Sequence, residues 1–352
     1  MSSGSDPLVT VAIPTRNRSH FLRQCLTSVL QQSMTKLEIW ISDNASADET
    51  AGVVASFDDP RIHYAPLETN IGLYGNLSRG LRLGTAPYVT LVPDDALMHP
   101  RNLELKLAMM EQNGEIDVVH SAARVDFLEP EGRVVETTSN GGLSDTVALE
   151  RGPHIVQRLL IEPYGINITS ALMRRTVVAN DGFDEADGPP ADLGLALRLA
   201  RRARLVAYLP ERLVTIRAHP DDASVKEYGI WDVKDGEHRY AFTAVALNYK
   251  VKKRFLAEHA SDDPDLRGLG RAVRRLHSRS LVYHLRTAGR IDRSRRDTWR
   301  LLREAYRAEP SLVPPVGAVR FLAGGLLGPR GRDVVRLRRA SRPARPGGSV
   351  ST

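Results

Sequence analysis

Leu91-Val92-Pro93-Asp94-Asp95-Ala96-Leu97 sets two acids directly behind a strand-like segment. An apolar run, Tyr88 to Val92, ends in two adjacent carboxylates. In an open α/β sheet, ligands bind in the crevice outside the carboxyl ends of the strands, and this pair would stand there. Two neighbouring aspartates repel one another unless a cation or hydrogen-bond donors offset them. A divalent metal carrying a diphosphate is one such compensator, because hard cations prefer carboxylate and phosphate oxygens. The competing reading is a turn with two exposed acids.

Working outward, strands and helices alternate. Leu8 to Ile13 is a short strand, and Pro14-Thr15-Arg16-Asn17-Arg18 breaks it. Ser19 is placed to cap a helix over His20 to Gln32, with Phe21, Leu22, Cys25, Leu26, Val29 and Leu30 at helical spacing. Leu37 to Ser42 is a second strand, and Asp48 or Ser46 can cap a helix running to Phe57. Arg61 to Ala65 reads as a third strand, Tyr74 to Leu83 as a helix, and Pro87 to Val92 as the fourth strand. This alternation predicts an α/β domain with a parallel sheet and crossover helices.

A parallel sheet makes the loops converge. Those after strands one, two and four leave on one edge and bring Arg16, Arg18, Asp43, Asn44, Asp94 and Asp95 to one crevice. A nucleotide suits that set. Asp43 can accept from a base N–H and Asp94 from ribose hydroxyls, while Arg16, Arg18 or Arg79 can meet phosphate. Gly72-Leu73-Tyr74-Gly75 is not the dinucleotide fingerprint, and no P-loop spacing occurs, which counts against dehydrogenases and NTPases.

Four motifs in order, Ile13-Pro14-Thr15-Arg16-Asn17-Arg18, Ser42-Asp43-Asn44-Ala45-Ser46, Asn70-Ile71-Gly72 and Pro93-Asp94-Asp95, resemble family 2 glycosyltransferases of GT-A fold. The resemblance spans Val9 to Ser224. It implies a GT-A-type, mostly parallel nucleotide-binding sheet flanked by helices, a nucleoside-diphosphate-sugar donor, a divalent metal (Mn2+ or Mg2+), and inversion at the anomeric carbon. Carried over residue by residue, it assigns Asp43 to the base, Asp94 to ribose or metal, and Asp95 to the metal. Pro14, Thr15, Arg16, Arg18, Asn44, Asn70, Asn76 and Arg79 complete the expected donor site. Acids that many relatives carry are missing at Val92 and Ala96, so metal ligation rests on Asp95, the phosphates, waters and one distant ligand.

Two further groups lie downstream. Gly182-Phe183-Asp184-Glu185 is followed seven residues later by Asp192, at the start of a helical run from Leu193 to Ala203. A carboxylate there is either a helix N-terminal charge or a general base taking the acceptor's proton. The resemblance favours the base, with Asp187 as runner-up and Asp184 and Glu185 on the sugar or acceptor. Leu213 to Pro220 is a strand ending in Arg217 and His219. Arg217 can neutralise the departing nucleotide, and His219 can serve as the distant metal ligand.

Composition bounds the rest. The 352 residues are 42% hydrophobic and 26% charged, with one cysteine, Cys25, that no internal disulfide can use and that fits a buried small hydrophobe. No apolar run reaches the roughly 18 residues of a membrane span, and the first seven residues lack signal-peptide character. The expected location is the cytoplasm. The net charge of +7 concentrates at the C-terminus, where Arg330, Arg332, Arg336, Arg338, Arg339, Arg342 and Arg345 face one acid, Asp333. That tail is either solvated or a peripheral contact with anionic lipid at the inner face of the membrane. No nucleic-acid-binding motif accompanies it.

The expected organisation is a disordered lead (1–7), a GT-A domain (8–228), a helical C-terminal region (229–328) and a basic, disordered tail (329–352). Within the helical region, Gly236 to Leu256, Arg271 to Leu285 and Ile291 to Tyr306 read as amphipathic helices. The expected acceptor is a glycan, a lipid-linked sugar or a small molecule. A sugar nucleotidyltransferase-like enzyme and a non-catalytic nucleotide-sugar-binding module remain as alternatives; the first usually opens with a glycine-rich loop that Pro14-Thr15-Arg16-Asn17 does not provide.

Overall fold

A computed structural model of the chain describes residues 6–128, 133–140, 144–162, 165–178, 181–219, 240–288, 306–307 and 309–312. The first half alternates as expected: β1 (Val9–Thr15), α1 (Ser19–Leu30), β2 (Leu37–Asp43), α2 (Thr50–Ala55), β3 (Ile62–Pro66), α3 (Leu73–Arg82) and β4 (Tyr88–Leu91). Then come β5 (Ala96–Met98), α4 (Asn102–Gln112), β6 (Ile116–Leu128), β7 (Val134–Asn140), β8 (Ala148–Arg151) and α5 (Gly152–Ile161). β9 (Leu172–Arg174), α6 (Arg175–Val178), α7 (Ala191–Arg202) and β10 (Leu205–Ala218) follow, and α8 (Tyr240–His259) and α9 (Leu269–Ala288) complete the helices that concern the site.

Among the described residues the strands form one sheet in the order β3-β2-β1-β4-β9-β6-β10-β5, with β7 added on β6 and β8 on β10. β1 pairs in parallel with both β2 and β4, and β2 with β3. β6 and β10 are also parallel, joined to the first half by the short antiparallel β9. The fold is the α/β architecture anticipated, and its first half is a parallel sheet.

Strand faces sort the core. Val9, Val11 and Ile13 pack with Leu22, Cys25 and Leu26 of α1 and Leu103 and Leu107 of α4, whereas Ala12, Val89 and Leu91 pack with α5 and α7. Both faces of β1 are therefore covered, and every residue of it is buried. Ala246, Tyr249, Phe255 and Leu256 of α8 enter the same core as α7, so the C-terminal helices are a packed part of the layer.

Boundaries differ in informative ways. β1 does not break at Pro14 but runs on to Thr15, in register with Asp43. Ala12 O accepts from Val92 N, so alternate residues of β1 face β4. The missing N–H of Pro14 falls on that side, beyond the last β1–β4 pair at Ala12 and Leu91, where the ladder needs no donor. Ser19 does not cap α1: the cap residue is Arg18, and Asp48 accepts from Ser19 N (3.0 Å) and from Thr50 N (3.1 Å), joining the starts of α1 and α2. The helices expected over Gly236 to Leu256 and Arg271 to Leu285 appear as α8 and α9. The expected Ile291 to Tyr306 helix, all but Tyr306, lies outside the described residues, as do the tail at 329–352 and residues 1–5 of the lead.

One buried acid ties the turn before β4 to the sheet. Glu38 Oε1 accepts from Thr10 Oγ1 (2.7 Å), Thr85 N (2.6 Å) and Ala86 N (3.0 Å), and Oε2 accepts from Trp40 Nε1 (2.9 Å). Gly84 turns there at φ 74°, and a Cβ would stand 2.5 Å from Glu38 Oε1. Burial alone raises the Glu38 pKa, but the four donors outweigh it and hold it at about 2. A folded pKa below the unfolded value stabilises the protein above the unfolded pKa and loses that contribution as pH falls. Glu38→Gln is thus expected to cost about 2 kcal/mol at pH 7. Urea melts of the two proteins should converge as pH drops from about 4.5 towards 2.

Candidate functional site

The β1–β4 register brings the acid pair to the carboxyl edge, level with the end of β1. Thr15 Oγ1 donates to Asp94 Oδ2 (2.6 Å), and Arg18 Nη1 reaches Asp94 Oδ1 (3.3 Å) and Asp95 Oδ2 (3.0 Å). Both aspartates are buried, with residue exposures of 3% and 8%. The exposed-turn alternative is therefore excluded. Burial first, and the neighbouring Asp95 charge second, push the Asp94 pKa up to about 6. The compensator expected from sequence was a metal; here a guanidinium of the chain already bridges the two carboxylates.

The end of β2 is tied to its neighbours. Asp43 Oδ2 accepts from Tyr64 OH (2.5 Å), and Oδ1 from Ser46 N (3.0 Å) and Ser46 Oγ (2.5 Å). Burial and that carboxylate together push the Tyr64 phenol up. Asn44 Nδ2 donates to Asn70 Oδ1 (2.7 Å) and Gly72 O (3.0 Å), and Asn44 Oδ1 accepts from Ile71 N (2.8 Å). The two asparagines thus hold one another and the Asn70-Ile71-Gly72 loop. Asn76 is buried, accepts from Ser42 Oγ (2.7 Å), and donates to Ser42 O (3.0 Å) and Thr15 O (3.4 Å). Its amide is a strut between β1 and β2, a different place from the donor contact expected of it. Arg79 Nη1 is engaged by Ser42 Oγ (2.7 Å) and Ala65 O (2.8 Å). Pro14 is buried in β1, and Arg16 is exposed just beyond it.

β10 reaches the same place from the opposite direction. It pairs antiparallel with β5, Ile216 opposite Ala96, so Arg217 lies alongside Asp95. Arg217 Nε donates to Asp95 O (2.6 Å) and Nη1 to Gln24 Oε1. The guanidinium stacks over the Phe21 ring at 4.8 Å, and the His219 ring stacks on it at 4.6 Å. Two buried nitrogens here, Arg217 Nη2 and His219 Nε2, have no hydrogen-bond partner, and His219 Nε2 stands 3.6 Å from Asp95 Oδ2. Orphaned buried donors or acceptors call for a partner. Asp95 and the unpartnered imidazole are a fitting pair of ligands for a hard or borderline divalent cation. Among the described residues no group of three or more His, Cys, Asp or Glu side chains can hold a metal ion, so the chain's own share is this pair.

Sequence reasoning missed Phe21, Gln24 and Tyr64. Phe21 lay in the apolar stripe of α1 and read as core, and Gln24 carried no signal beside it. The strand position of Tyr64, one residue before Ala65 opposite Ser42, was the one available hint for its reach to Asp43.

The Gly182–Asp187 segment docks on α3, where Phe183 N donates to Ser78 Oγ (2.8 Å). Asp187, the runner-up base, is buried and clamped by Arg198 Nη1 and Arg254 Nη1, each at 3.0 Å. With a guanidinium on each oxygen it is an anchor; a base needs a free lone pair in reach of the substrate. Asp184 Oδ1 accepts from Ala186 N (2.9 Å) and its Oδ2 pairs with Arg254. Glu185 is exposed. Asp192, an exposed residue, stands in the first turn of α7, its Oδ1 accepting from Leu193 N (2.8 Å). The protein massed around it still strips enough hydration to raise its pKa above the ordinary carboxylate value.

Comparison with known proteins places these motifs. Residues 10–179 match the model of glycosyl transferase family 2. A Campylobacter jejuni protein named GalNAc(5)-diNAcBac-PP-undecaprenol beta-1,3-glucosyltransferase is 27% identical over 183 residues, 51% of this chain and 55% of that one. An Escherichia coli protein named UDP-Glc:alpha-D-GlcNAc-diphosphoundecaprenol beta-1,3-glucosyltransferase WfgD is 28% identical over 108 residues, 31% of this chain and 43% of that one. The chain thus spans about half the length of these curated relatives. Among solved structures, S. aureus TarS 1-349 in complex with UDP-GlcNAc superposes with a TM-score of 0.56 at 17% identity, covering 87% of this chain and 83% of that one. That likeness is one of fold.

Asn76→Ala removes both roles of a buried amide. It is expected to destabilise the protein by about 2–3 kcal/mol, read as a lower urea midpoint at unchanged slope. Arg16→Ala, at an exposed position, is expected to leave stability within about 0.5 kcal/mol.

Proposed function

We propose that this chain, which belongs to glycosyl transferase family 2, moves a sugar from a nucleoside-diphosphate donor to an acceptor hydroxyl with inversion at the anomeric carbon. The observation that carries this reading is the buried acid pair at the carboxyl edge, with the unpartnered Arg217 Nη2 and His219 Nε2 beside it. Such a set recognises an anionic diphosphate and its hydroxyl-rich ribose.

Each residue then has a task. Asp43 accepts from the base, and Asp94, oriented by Thr15, accepts from the ribose hydroxyls. Arg18 and Arg217 meet the diphosphate, with Arg16 and Arg79 at the margins of the crevice. Pro14 keeps the carboxyl end of β1 in line, while Asn44, Asn70 and Asn76 hold the walls. Asp95 and His219 would hold Mn2+ or Mg2+, which supplies charge neutralisation on the leaving diphosphate. A solved Pyrobaculum calidifontis mannosyltransferase in complex with GDP-Man and Mn2+ shares the fold at a TM-score of 0.50 and 15% identity.

Asp192 removes the acceptor's proton as its oxygen attacks. A raised pKa serves a base that must be ionised yet take a proton in the transition state. Inversion requires the base on the sugar face opposite the leaving group. The acceptor is a sugar on a lipid diphosphate, the class named for the two curated relatives. Free glycans and small molecules are the other acceptor classes to assay. The chain works in the cytoplasm, with the basic segment 329–352 contacting anionic lipid. Among the described residues no helix is long and apolar enough to cross a membrane.

Asp192→Asn is expected to keep nucleotide affinity by calorimetry while transfer falls by at least about a hundredfold. Loss of nucleotide binding in that variant would contradict the role. Asp95→Ala is expected to abolish metal-dependent donor hydrolysis, and full activity of the wild type in excess chelator would reject the metal assignment.

A further inference from the structure

We infer that Arg18 is an internal counter-ion that keeps the Asp94–Asp95 pair from holding a divalent cation until a nucleoside diphosphate is bound. Asp94 and Asp95 together bring two negative charges to a buried place, and one guanidinium nitrogen of Arg18 touches both, at 3.3 and 3.0 Å. Arg217 adds a second positive charge, its Nε on the backbone oxygen of Asp95. The four groups sum to zero, and the carboxylate side chains are only 4% and 12% exposed. A divalent ion entering such a neutral, desolvated cluster meets two cations at close range, where attraction to the acids is already spent on arginine.

The position of the guanidinium is as telling as its charge. Asp95 Oδ2 is the atom His219 Nε2 faces at 3.6 Å, and Arg18 Nη1 donates to that same oxygen at 3.0 Å. A cation ligated by Asp95 and His219 therefore competes with Arg18 for one lone-pair-bearing atom. The backbone of Arg18 is the cap residue of α1 and fixed, so what yields is its long side chain, 19% exposed. A diphosphate changes the sum: it carries its own negative charge and gives the planar guanidinium paired oxygen acceptors to turn to. Metal and nucleotide then bind as a unit, and the apo crevice stays free of adventitious divalent ions.

This rests on the reading of the crevice as a nucleoside-diphosphate site, and its test uses Mn2+ alone, so the two can fail separately. Mn2+ is titrated into the full chain without nucleotide, bound and free ion being distinguished by electron paramagnetic resonance. The wild type is expected to bind no Mn2+ at micromolar concentrations. Arg18→Gln is expected to bind it at least about tenfold more tightly, and adding Asp95→Asn to that variant should erase the gain. Arg18→Lys, which keeps the charge on a shorter side chain of different geometry, should fall between, and it serves in place of Arg18→Gln should that variant not fold. Micromolar Mn2+ binding by the wild type overturns the inference. So does equal Mn2+ affinity in the wild type and the folded Arg18 variant, or a gain that survives Asp95→Asn. Sugar transfer observed alongside any of these would leave the proposed function standing.

Discussion

Two carboxylates on consecutive residues, buried at the end of one short strand, set the terms for the rest of this molecule. Alone they would repel each other and favour unfolding or protonation. The structure brings three elements to them: Thr15 from β1, Arg18 from the start of α1, and Arg217 from β10. The parallel β1–β4 ladder and the antiparallel β5–β10 pairing are the geometric means of doing so. A fold that buries such a pair gives up stability there. Sites that act on charged substrates are where that trade is found.

The first half of the fold was legible because its residues obey simple periodicities. β1 and β2 read as short strands, β4 as an apolar run and α1 as a helical stripe, and their alternation predicted a parallel sheet with its loops on one edge. The errors were at ends. Pro14 looked like a stop, and it is not one, because its missing donor faces a side where the ladder has already finished. Ser19 looked like a cap, and the acceptor came instead from Asp48, which is distant in sequence. The stretch from Leu97 to Gly182 carried no assigned elements, and there β6 and the short β9 enlarge the sheet, β9 antiparallel to β4 and β6 parallel to the later β10. Pairings between strands so far apart in sequence leave no local pattern to read.

The candidate site was legible in its acids and less so in its amides. Asp43, Asp94, Asp95, Arg217 and His219 stand at strand ends, where chemistry-bearing side chains are expected. Asn76 stands on α3, and its buried amide joins the ends of β1 and β2. Asn44 and Asn70 serve each other first. Asp187 shows why a motif's spacing is insufficient: two arginines occupy its oxygens, Arg198 from α7 and Arg254 from α8, more than 60 residues further on. That clamp also gives the C-terminal helices a part in holding the segment next to Asp192.

Whether the acid pair faces a nucleoside diphosphate is decided by a melting experiment on the full chain. With Mn2+ present, uridine, guanosine, adenosine and thymidine diphosphates and their sugar esters are each added, and the midpoint is recorded for the wild type and for Asp94→Ala. Selective binding at about a hundred times the dissociation constant adds about 2.7 kcal/mol and raises the midpoint by several degrees. One nucleotide class raising the wild type and not the variant is the expected result. No shift with any of them, or the same shift in both proteins, would contradict it.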